Sequence, residues 1–212
     1  MKIDLSQAGK RFNREWIFRN ATIEFQQHIS YAITGPNGSG KSTILQCIAG
    51  MMQLSEGTIQ YANGNPAKDG ASGQLANEHA YKHVSFCAPY LELIEEMTLI
   101  EFLNFHSGFK DFLPGIDVEK IIDLLELKEA AGKQIRYYSS GMKQRVKLAQ
   151  AIFSDTVILL LDEPCSNLDV QGIELYHSLI NDYCKERLVI VSSNDEVEYN
   201  FTNERINILD YK

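Results

Sequence analysis

Short apolar stretches alternate with polar or glycine-rich stretches along most of the chain. Before residue 35, this pattern predicts three short strands with a turn around Arg19–Asn20; the strands are Lys2–Leu5, Thr22–Gln26 and Ile29–Thr34. A helix is predicted next, from Lys41 to about Met52, and a strand over Thr58–Tyr61 follows Gly57. The first part of the chain is therefore rich in strands.

Helical periodicity replaces this pattern in the middle of the chain. Thr98 followed by Glu101 forms a capping-box pattern that predicts a helix over Leu99–Phe105. A second helix is predicted to begin after Asp117 and to end near Leu127. Residues 98–135 are therefore expected to be helical.

Strands and helices alternate in the last part of the chain. The predicted order is a strand over Val157–Asp162, a helix near Val170–Cys184, and the strands Leu188–Ser192 and Ile206–Leu209. This alternation indicates an α/β fold with a mainly parallel sheet. Ligands bind beyond the carboxyl ends of the strands in such sheets.

Residues 62–80 are rich in glycine, asparagine and alanine and poor in large apolar residues. This composition predicts an exposed hairpin or a mobile loop, and a tolerated insertion is the simplest explanation for it.

Composition excludes several classes of function. The chain has 212 residues, of which 44% are hydrophobic and 23% charged, as expected for one globular domain. Its net charge of −8 argues against general nucleic-acid binding, which requires clustered lysine and arginine. No apolar stretch suits a membrane span or a signal peptide, so a cytosolic location is expected. The four cysteines form no metal-binding spacing and are expected to be reduced packing residues.

A glycine-rich segment with the pattern GxxxxGK[ST] lies directly after the strand Ile29–Thr34. Its residues are Gly35, Pro36, Asn37, Gly38, Ser39, Gly40, Lys41, Ser42 and Thr43. Glycines allow successive N–H groups to point at one anion, and the following helix N-terminus adds positive potential. We expect Lys41 to reach the β- and γ-phosphates of a nucleoside triphosphate, and the Ser42 hydroxyl to bind Mg²⁺.

Two acids, Asp162 and Glu163, end the strand that begins at Val157. Adjacent side chains of a strand point to opposite faces, so only one of the two faces a metal directly. Asp162 is predicted to hold Mg²⁺ or its water. Glu163 is predicted to polarise the attacking water.

The segment Tyr138–Arg145, YSSGMKQR, resembles the LSGGQ signature of the ABC ATPase family, and its residue pattern is similar to that of the exporter-like branch. Ser166–Asp169 resembles the D-loop of the same family. The resemblance covers nearly the whole chain. It implies a P-loop NTPase fold with a mainly parallel central sheet, an N-terminal antiparallel β subdomain and an inserted α-helical subdomain at about 90–140, all within one ATPase domain spanning 1–212.

The resemblance also implies how such a domain works. Two copies, identical or different, dimerise head to tail, so that Ser139, Ser140 and Gly141 of one contact the ATP bound by the other. Phe12 occupies the position of an aromatic residue that stacks on adenine. A membrane permease subunit is the expected partner, which would place the chain on the inner face of the cell membrane and make it an ATPase that powers transport, as in an exporter.

Two departures from the family pattern leave alternatives open. The usual glutamine after the strand at Val84–Phe86 is missing, and Tyr90 or a neighbour takes its place. The usual histidine after Leu188–Ser192 is replaced by Asn194, whose amide can bind a γ-phosphate but cannot shuttle a proton. The chain could therefore be an ATP-gated module with little turnover. A separate alternative is a soluble ABC ATPase that acts on nucleic acid or the ribosome, against which the single domain, the lack of heptads and the acidic balance argue.

Overall fold

The computed structural model describes residues 1–62, 74–75 and 77–212. The strands are β1 (Lys2–Phe12), β2 (Glu15–Gln26), β3 (Ser30–Thr34), β4 (Glu56–Ala62), β5 (Gln74–Leu75), β6 (Val84–Cys87), β7 (Ile158–Asp162), β8 (Leu188–Ser192) and β9 (Glu204–Asn207). The helices are α1 (Lys41–Ile48), α2 (Leu99–Ser107), α3 (Val118–Leu124), α4 (Ser140–Ile152), α5 (Val170–Tyr183) and α6 (Glu196–Tyr199). Short 3-10 turns cover Asn77–Lys82, Lys128–Ala130, Ile135–Tyr137 and Ile208–Tyr211.

The strands form two sheets, as the α/β prediction requires. β6-β7-β8-β3-β9 is an entirely parallel sheet, and β2-β1-β4-β5 is antiparallel. The predicted combination of a parallel central sheet, an N-terminal antiparallel sheet and an inserted helical region is confirmed. Among the described residues, no helix is long and apolar enough to cross a membrane.

Both faces of the parallel sheet are buried, which explains the uninterrupted apolar runs of its strands. In β7, Ile158 and Leu160 pack with α1 and the antiparallel sheet. Leu159 and Leu161 pack on the other face, against residues of α2, α4 and α5. The strand period of two therefore divides one apolar run between two cores.

The helix starts follow local capping chemistry. Thr98 accepts a hydrogen bond from the Glu101 N–H at 3.2 Å, and the Glu101 carboxylate accepts one from the Thr98 N–H at 2.8 Å. The predicted capping box of α2 is thus confirmed. Asp117 caps α3 through the Lys120 N–H at 2.8 Å, as its position predicts.

The prediction for the N-terminal strands was wrong in detail. The turn lies at Asn13–Arg14, and Asn20 lies inside β2. Asn13 and Asn20 both have a φ of 54°, and the pairing of β1 with β2 shifts register on either side of Ala8. Such bulges break the alternation of apolar and polar residues, so two long strands are mistaken for short ones.

Three other elements end earlier than predicted. Gly50, with a φ of 73°, follows the end of α1 at Ile48 and terminates the helix in the left-handed conformation. Similarly, α3 ends at Leu124, shortly before Glu126 with its φ of 59°. The last strand ends at Asn207, whose side chain accepts from the Leu209 N–H at 3.1 Å and begins a 3-10 turn.

The predicted hairpin over 62–80 is described only in part. Antiparallel pairing of Tyr61 with Leu75 and of Ala62 with Gln74 joins β4 to β5. Residues 63–73 and 76, and with them the mobility expected for this loop, lie outside the described residues.

Candidate functional site

Three neighbouring strands end at one edge of the parallel sheet. Asp162 at the end of β7 pairs with Ser192 at the end of β8, and Ser192 pairs with Ile33 of β3. The loops that follow these strands carry the glycine-rich segment, Glu163 and Asn194. The strand order β7-β8-β3 therefore brings together segments far apart in sequence.

The glycine-rich segment is shaped by its glycines. Gly35, Gly38 and Gly40 have φ values of 146°, 74° and 100°, a region that other residues rarely adopt. A β-carbon at Gly40 would lie 2.5 Å from Cγ2 of Ile17 on β2, so a side chain here would also collide with the neighbouring strand. Gly40 precedes α1 and offers no side-chain cap, which leaves the helix N-terminus open toward an anion.

A cavity of about 200 Å³ lies at this helix N-terminus. Its lining consists of Ile17, Asn37, Gly38, Gly40, Lys41, Ser42, Thr43 and Glu163. The buried ammonium group of Lys41 donates to the carbonyl oxygens of Gly35 at 2.8 Å and of Pro36 at 3.2 Å, so its charge lies at the loop. The buried Ser39 hydroxyl has no hydrogen-bond partner within the described chain. The cavity thus combines an ammonium group, a helix N-terminus and hydroxyls, as a phosphate site requires.

The two acids at the end of β7 differ sharply in environment. Asp162 is only 1% exposed, and its Oδ1 finds no hydrogen-bond partner among residues 1–62, 74–75 and 77–212. Unpaired buried carboxylate oxygens are costly, and an oxygen-seeking cation such as Mg²⁺ would satisfy this one. Glu163 turns away from the strand with a φ of 44° and lines the phosphate cavity. The two carboxylates therefore suit the separate roles predicted for them.

Sequence reasoning missed a polar chain beside Asp162. The Gln46 side-chain amide on α1 donates to the Tyr90 hydroxyl at 2.8 Å. Burial and the nearby Asp162 carboxylate raise the pKa of Tyr90 to about 12. The loop after β6 lacks a glutamine, yet its tyrosine contacts a glutamine of α1 beside the Asp162 carboxylate. No local pattern in the sequence joins positions this far apart.

The signature segment lies at a different place in the same chain. Ser139 is the N-cap of α4, and its hydroxyl accepts from the Met142 N–H at 3.2 Å. Residues 139–142 line a second cavity of about 710 Å³, together with Asn167 and Asp169. Among the described residues, this cavity and the phosphate cavity share no lining residue. Within one chain, the signature segment therefore does not complete the phosphate site.

The remaining candidate residues are accessible. Phe12 ends β1 at the hairpin tip, is 46% exposed and carries the Lys10 ammonium 5.3 Å from its ring centroid. It is absent from the lining of the phosphate cavity, where Ile17 of the same hairpin is found. Asn194 is exposed on the loop after β8.

All four cysteines are free and buried, as predicted.

Comparison with known proteins identifies the family. The model of the ABC transporter family matches residues 18–166. The ABC transporter ATP-binding protein YhcH of Bacillus subtilis is 29% identical over 98% of this chain and 66% of its own length. The YxlF protein of the same organism is 33% identical over 80% of this chain and 55% of its own length. The chain thus spans roughly half to two thirds of these two relatives.

A relative of similar length is the Lipoprotein-releasing system ATP-binding protein LolD of Bacteroides fragilis, 27% identical with 98% of each chain covered. Among solved structures, the ATP-binding cassette MJ0796, a dimer bound to ADP and Pi, superimposes with a TM-score of 0.78. Its identity to this chain is 22%, and the match covers 97% of this chain and 93% of that one. The chain belongs to the ABC transporter family and carries the ATP-binding ATPase domain of that family.

Proposed function

We propose that this chain binds and hydrolyses ATP to power a membrane transporter, by dimerising head to tail around the nucleotide. The observation that carries this proposal is the separation of the phosphate cavity from the signature cavity in one chain. Each would be half of a composite site. Two copies related by a two-fold axis would complete two such sites, because the phosphate cavity of each copy would face the signature cavity of the other.

Nucleotide binding is assigned to the loop and helix start at Gly35–Thr43. The N–H groups of this segment and the Lys41 ammonium hold the phosphates, and Phe12 stacks on the adenine. Ser42 and Asp162 hold Mg²⁺, which offsets the negative charge of the phosphate oxygens. Asn194 donates its amide to the γ-phosphate. From the second copy, Ser139, Ser140 and Gly141 cap the same phosphate with hydroxyl and backbone N–H groups.

Hydrolysis is assigned to Glu163. Its carboxylate lines the cavity that also exposes Ser42 and Thr43, so a water held there would lie beside the γ-phosphate. The carboxylate accepts a hydrogen bond from this water and orients it for in-line attack. Positioning and charge stabilisation account for most of the rate in phosphoryl transfer, so Asn194 in place of histidine is compatible with turnover.

We propose that the whole chain, 1–212, is one ATPase domain with a helical subdomain at about 90–140, and that a permease subunit docks on it at the membrane. Exposed aromatic residues support such a partner. Phe105 and Phe109 of the α2 region are 45% and 75% exposed and contact each other with ring centroids 5.0 Å apart. Exposed apolar groups of this kind are typical of protein interfaces. This docking would hold the protein at the cytoplasmic face of the membrane.

Export is the direction we propose. The residue pattern of the signature segment, YSSGMKQR, is similar to that of exporter-like members of the family. The relative LolD, described as part of a lipoprotein-releasing system, is consistent with this direction, although the proposal rests on the signature segment.

Replacing Glu163 tests the hydrolytic assignment. Glu163→Gln retains the shape of the side chain but weakens its ability to accept the proton of water, so kcat should fall by about 100-fold or more. ATP affinity should be retained, and the ATP-bound dimer should accumulate in size-exclusion chromatography. Steady-state turnover that is equal in both proteins would contradict the role of Glu163 and favour an ATP-gated module.

A further inference from the structure

Two loops meet beyond the ends of β7 and β8. The loop after β7, Glu163–Asp169, carries the proposed catalytic carboxylate and the D-loop. The loop after β8, Ser193–Asp195, carries Asn194. A hydrogen bond of 2.9 Å from the Glu163 N–H to the Ser192 carbonyl joins the two loops at their base.

The first of these loops holds an unfavourable backbone conformation. Glu163 and Asn167 have φ values of 44° and 65°, in the left-handed region that side chains other than glycine disfavour. Such conformations persist only where the surrounding structure holds them in place. The orientation of the Glu163 carboxylate therefore depends on contacts that the rest of this loop makes.

One such contact comes from Glu198 of α6. Its Oε1 accepts a hydrogen bond from the Cys165 N–H at 2.8 Å, midway between the two strained residues. The backbone of Glu198 is itself fixed, because the buried Tyr176 hydroxyl on α5 donates to its carbonyl oxygen at 2.9 Å. The side chain thus ties the loop after β7 to the rigid body of the domain.

Glu198 also faces the loop after β8. Its backbone N–H donates to the Asp195 carbonyl oxygen at 3.1 Å. Its carboxylate lies near the Ser193 hydroxyl, which accepts from the Asp195 N–H at 2.9 Å and closes the turn around Asn194. Glu198 therefore contacts both the Asn194 turn and the Cys165 backbone.

The burial of this carboxylate needs an explanation. Glu198 is 6% exposed, and its Oε2 has no hydrogen-bond partner by distance and angle within the described part of the chain. Burial is the main cause of its raised pKa, and the negative charges of Glu163 and Asp195 raise it further. An apolar side chain would fill this space at lower cost, but it would leave the Cys165 N–H without an acceptor.

We propose that Glu198 is a positioning residue for ATP hydrolysis, which holds the Cys165 backbone so that Glu163 faces the phosphate cavity. This inference rests on the proposed role of Glu163. Glu198 is absent from the lining of the phosphate cavity, so it would act on the reaction through the loop after β7.

The test compares variants at Glu198 with a control on the same helix. Glu198→Ala removes the acceptor, and we expect kcat to fall at least about tenfold while KM for ATP changes less than about twofold, because the phosphate loop is intact. Glu198→Gln retains a carbonyl oxygen for the Cys165 N–H and should restore kcat to within about threefold of the parent. Glu196→Ala removes an exposed partner of Arg205 and should leave both constants unchanged.

Each result decides the proposal. A kcat that is unchanged in Glu198→Ala, or that drops equally in Glu198→Gln, would overturn it. If the alanine variant does not fold, Glu198→Asp takes its place, because its shorter side chain retains the charge but cannot reach Cys165 and should lower kcat alone. The Glu163→Gln variant separates the two hypotheses: if its kcat falls while that of Glu198→Ala does not, only the positioning role is wrong.

Discussion

At the scale of single residues, Gly40 is under the tightest steric constraint in the phosphate loop. We expect Gly40→Ala to destabilise the fold by about 2 kcal/mol, because a φ of 100° and a contact of 2.5 Å with Ile17 both oppose a side chain. ATP affinity should fall at least about tenfold, since the N–H groups of the loop would be displaced. Urea unfolding and a nucleotide-binding titration measure the two effects.

Gly50 provides the matched control for this change. Its φ of 73° is also left-handed, but a β-carbon there meets no atom within 4 Å, and it lies outside the phosphate site. Gly50→Ala should cost about 1 kcal/mol of stability and leave ATP affinity unchanged. Equal losses of ATP affinity in the two variants would show that destabilisation alone weakens binding.

Tyr90 and Gln46 make a second residue-scale prediction, about Mg²⁺. The Tyr90 hydroxyl accepts a hydrogen bond from the Gln46 amide and lies near the Asp162 carboxylate, which we propose binds Mg²⁺ and which Tyr90 would help to orient. We expect Tyr90→Phe to raise the Mg²⁺ concentration at half-saturation about fivefold, as the loss of one hydrogen bond of about 1 kcal/mol implies. Measuring ATP affinity against Mg²⁺ concentration reports this effect independently of turnover.

A double-mutant cycle tests whether Gln46 affects Mg²⁺ binding through its hydrogen bond to Tyr90 or independently of it. If Gln46 acts through Tyr90, then Gln46→Leu should change the Mg²⁺ dependence in the parent and add little in the Tyr90→Phe background. Tyr183→Phe, which alters a tyrosine that packs on Phe153 away from the site, serves as the control. Additive effects of the two substitutions would exclude action through Tyr90.

These residues show where sequence reasoning stops at this scale. The positions of the glycine-rich loop and of Asp162 and Glu163 at one edge of the sheet could be predicted, because each lies in one continuous segment that follows or ends a strand. The contacts of Gln46 with Tyr90 and of Glu198 with Cys165 could not, because the partners are far apart in sequence and are brought together only by the fold. The sequence shows that the family's usual glutamine is missing after the strand at Val84–Phe86. It does not show which side chain takes the place of that glutamine near Asp162.

At the scale of secondary structure, the starts of α2 and α4 are both capped by a hydroxyl, but only the start of α4 is proposed to bind ATP. Ser139→Ala and Thr98→Ala should each cost about 1 kcal/mol of stability, since each hydroxyl accepts from a first-turn N–H. Only Ser139→Ala should also weaken ATP-driven dimerisation, because only that cap is proposed to contact ATP bound by a second copy. Analytical ultracentrifugation with ATP, in the Glu163→Gln background, measures this difference.

An equal loss of dimer in both variants would show that Ser139 acts only as a helix cap. The pair is matched in that both residues are N-caps with extended backbone angles whose side chains accept from a first-turn N–H.

The elements themselves were predictable to different degrees. The prediction for β8, Leu188–Ser192, coincides with the observed strand, because a fully buried parallel strand reads as one apolar run. The pair β1 and β2 was mispredicted, since its bulges and left-handed asparagines interrupt the strand period. Helix ends at Gly50 and Glu126 depend on backbone conformation that periodicity does not describe.

At the scale of the whole molecule, the separation of the two cavities leads to a complementation experiment. Lys41→Ala removes the ammonium group from the phosphate site. Gly141→Asp introduces a negative charge into the signature site, where an added β-carbon would lie 3.1 Å from the Asn167 carbonyl oxygen. If the chain dimerises head to tail, each variant alone forms dimers in which both composite sites contain one defective half, so both proteins should be nearly inactive.

A mixed dimer of these two variants behaves differently if the sites are shared head to tail. One of its sites combines both defects, whereas the other combines an intact phosphate loop from the Gly141→Asp chain with an intact signature segment from the Lys41→Ala chain. An equal mixture contains about half mixed dimers, so independent sites would give about a quarter of the parental activity. Activity equal to the sum of the two separate variants would contradict a shared site, because a site built within one chain cannot be restored by mixing.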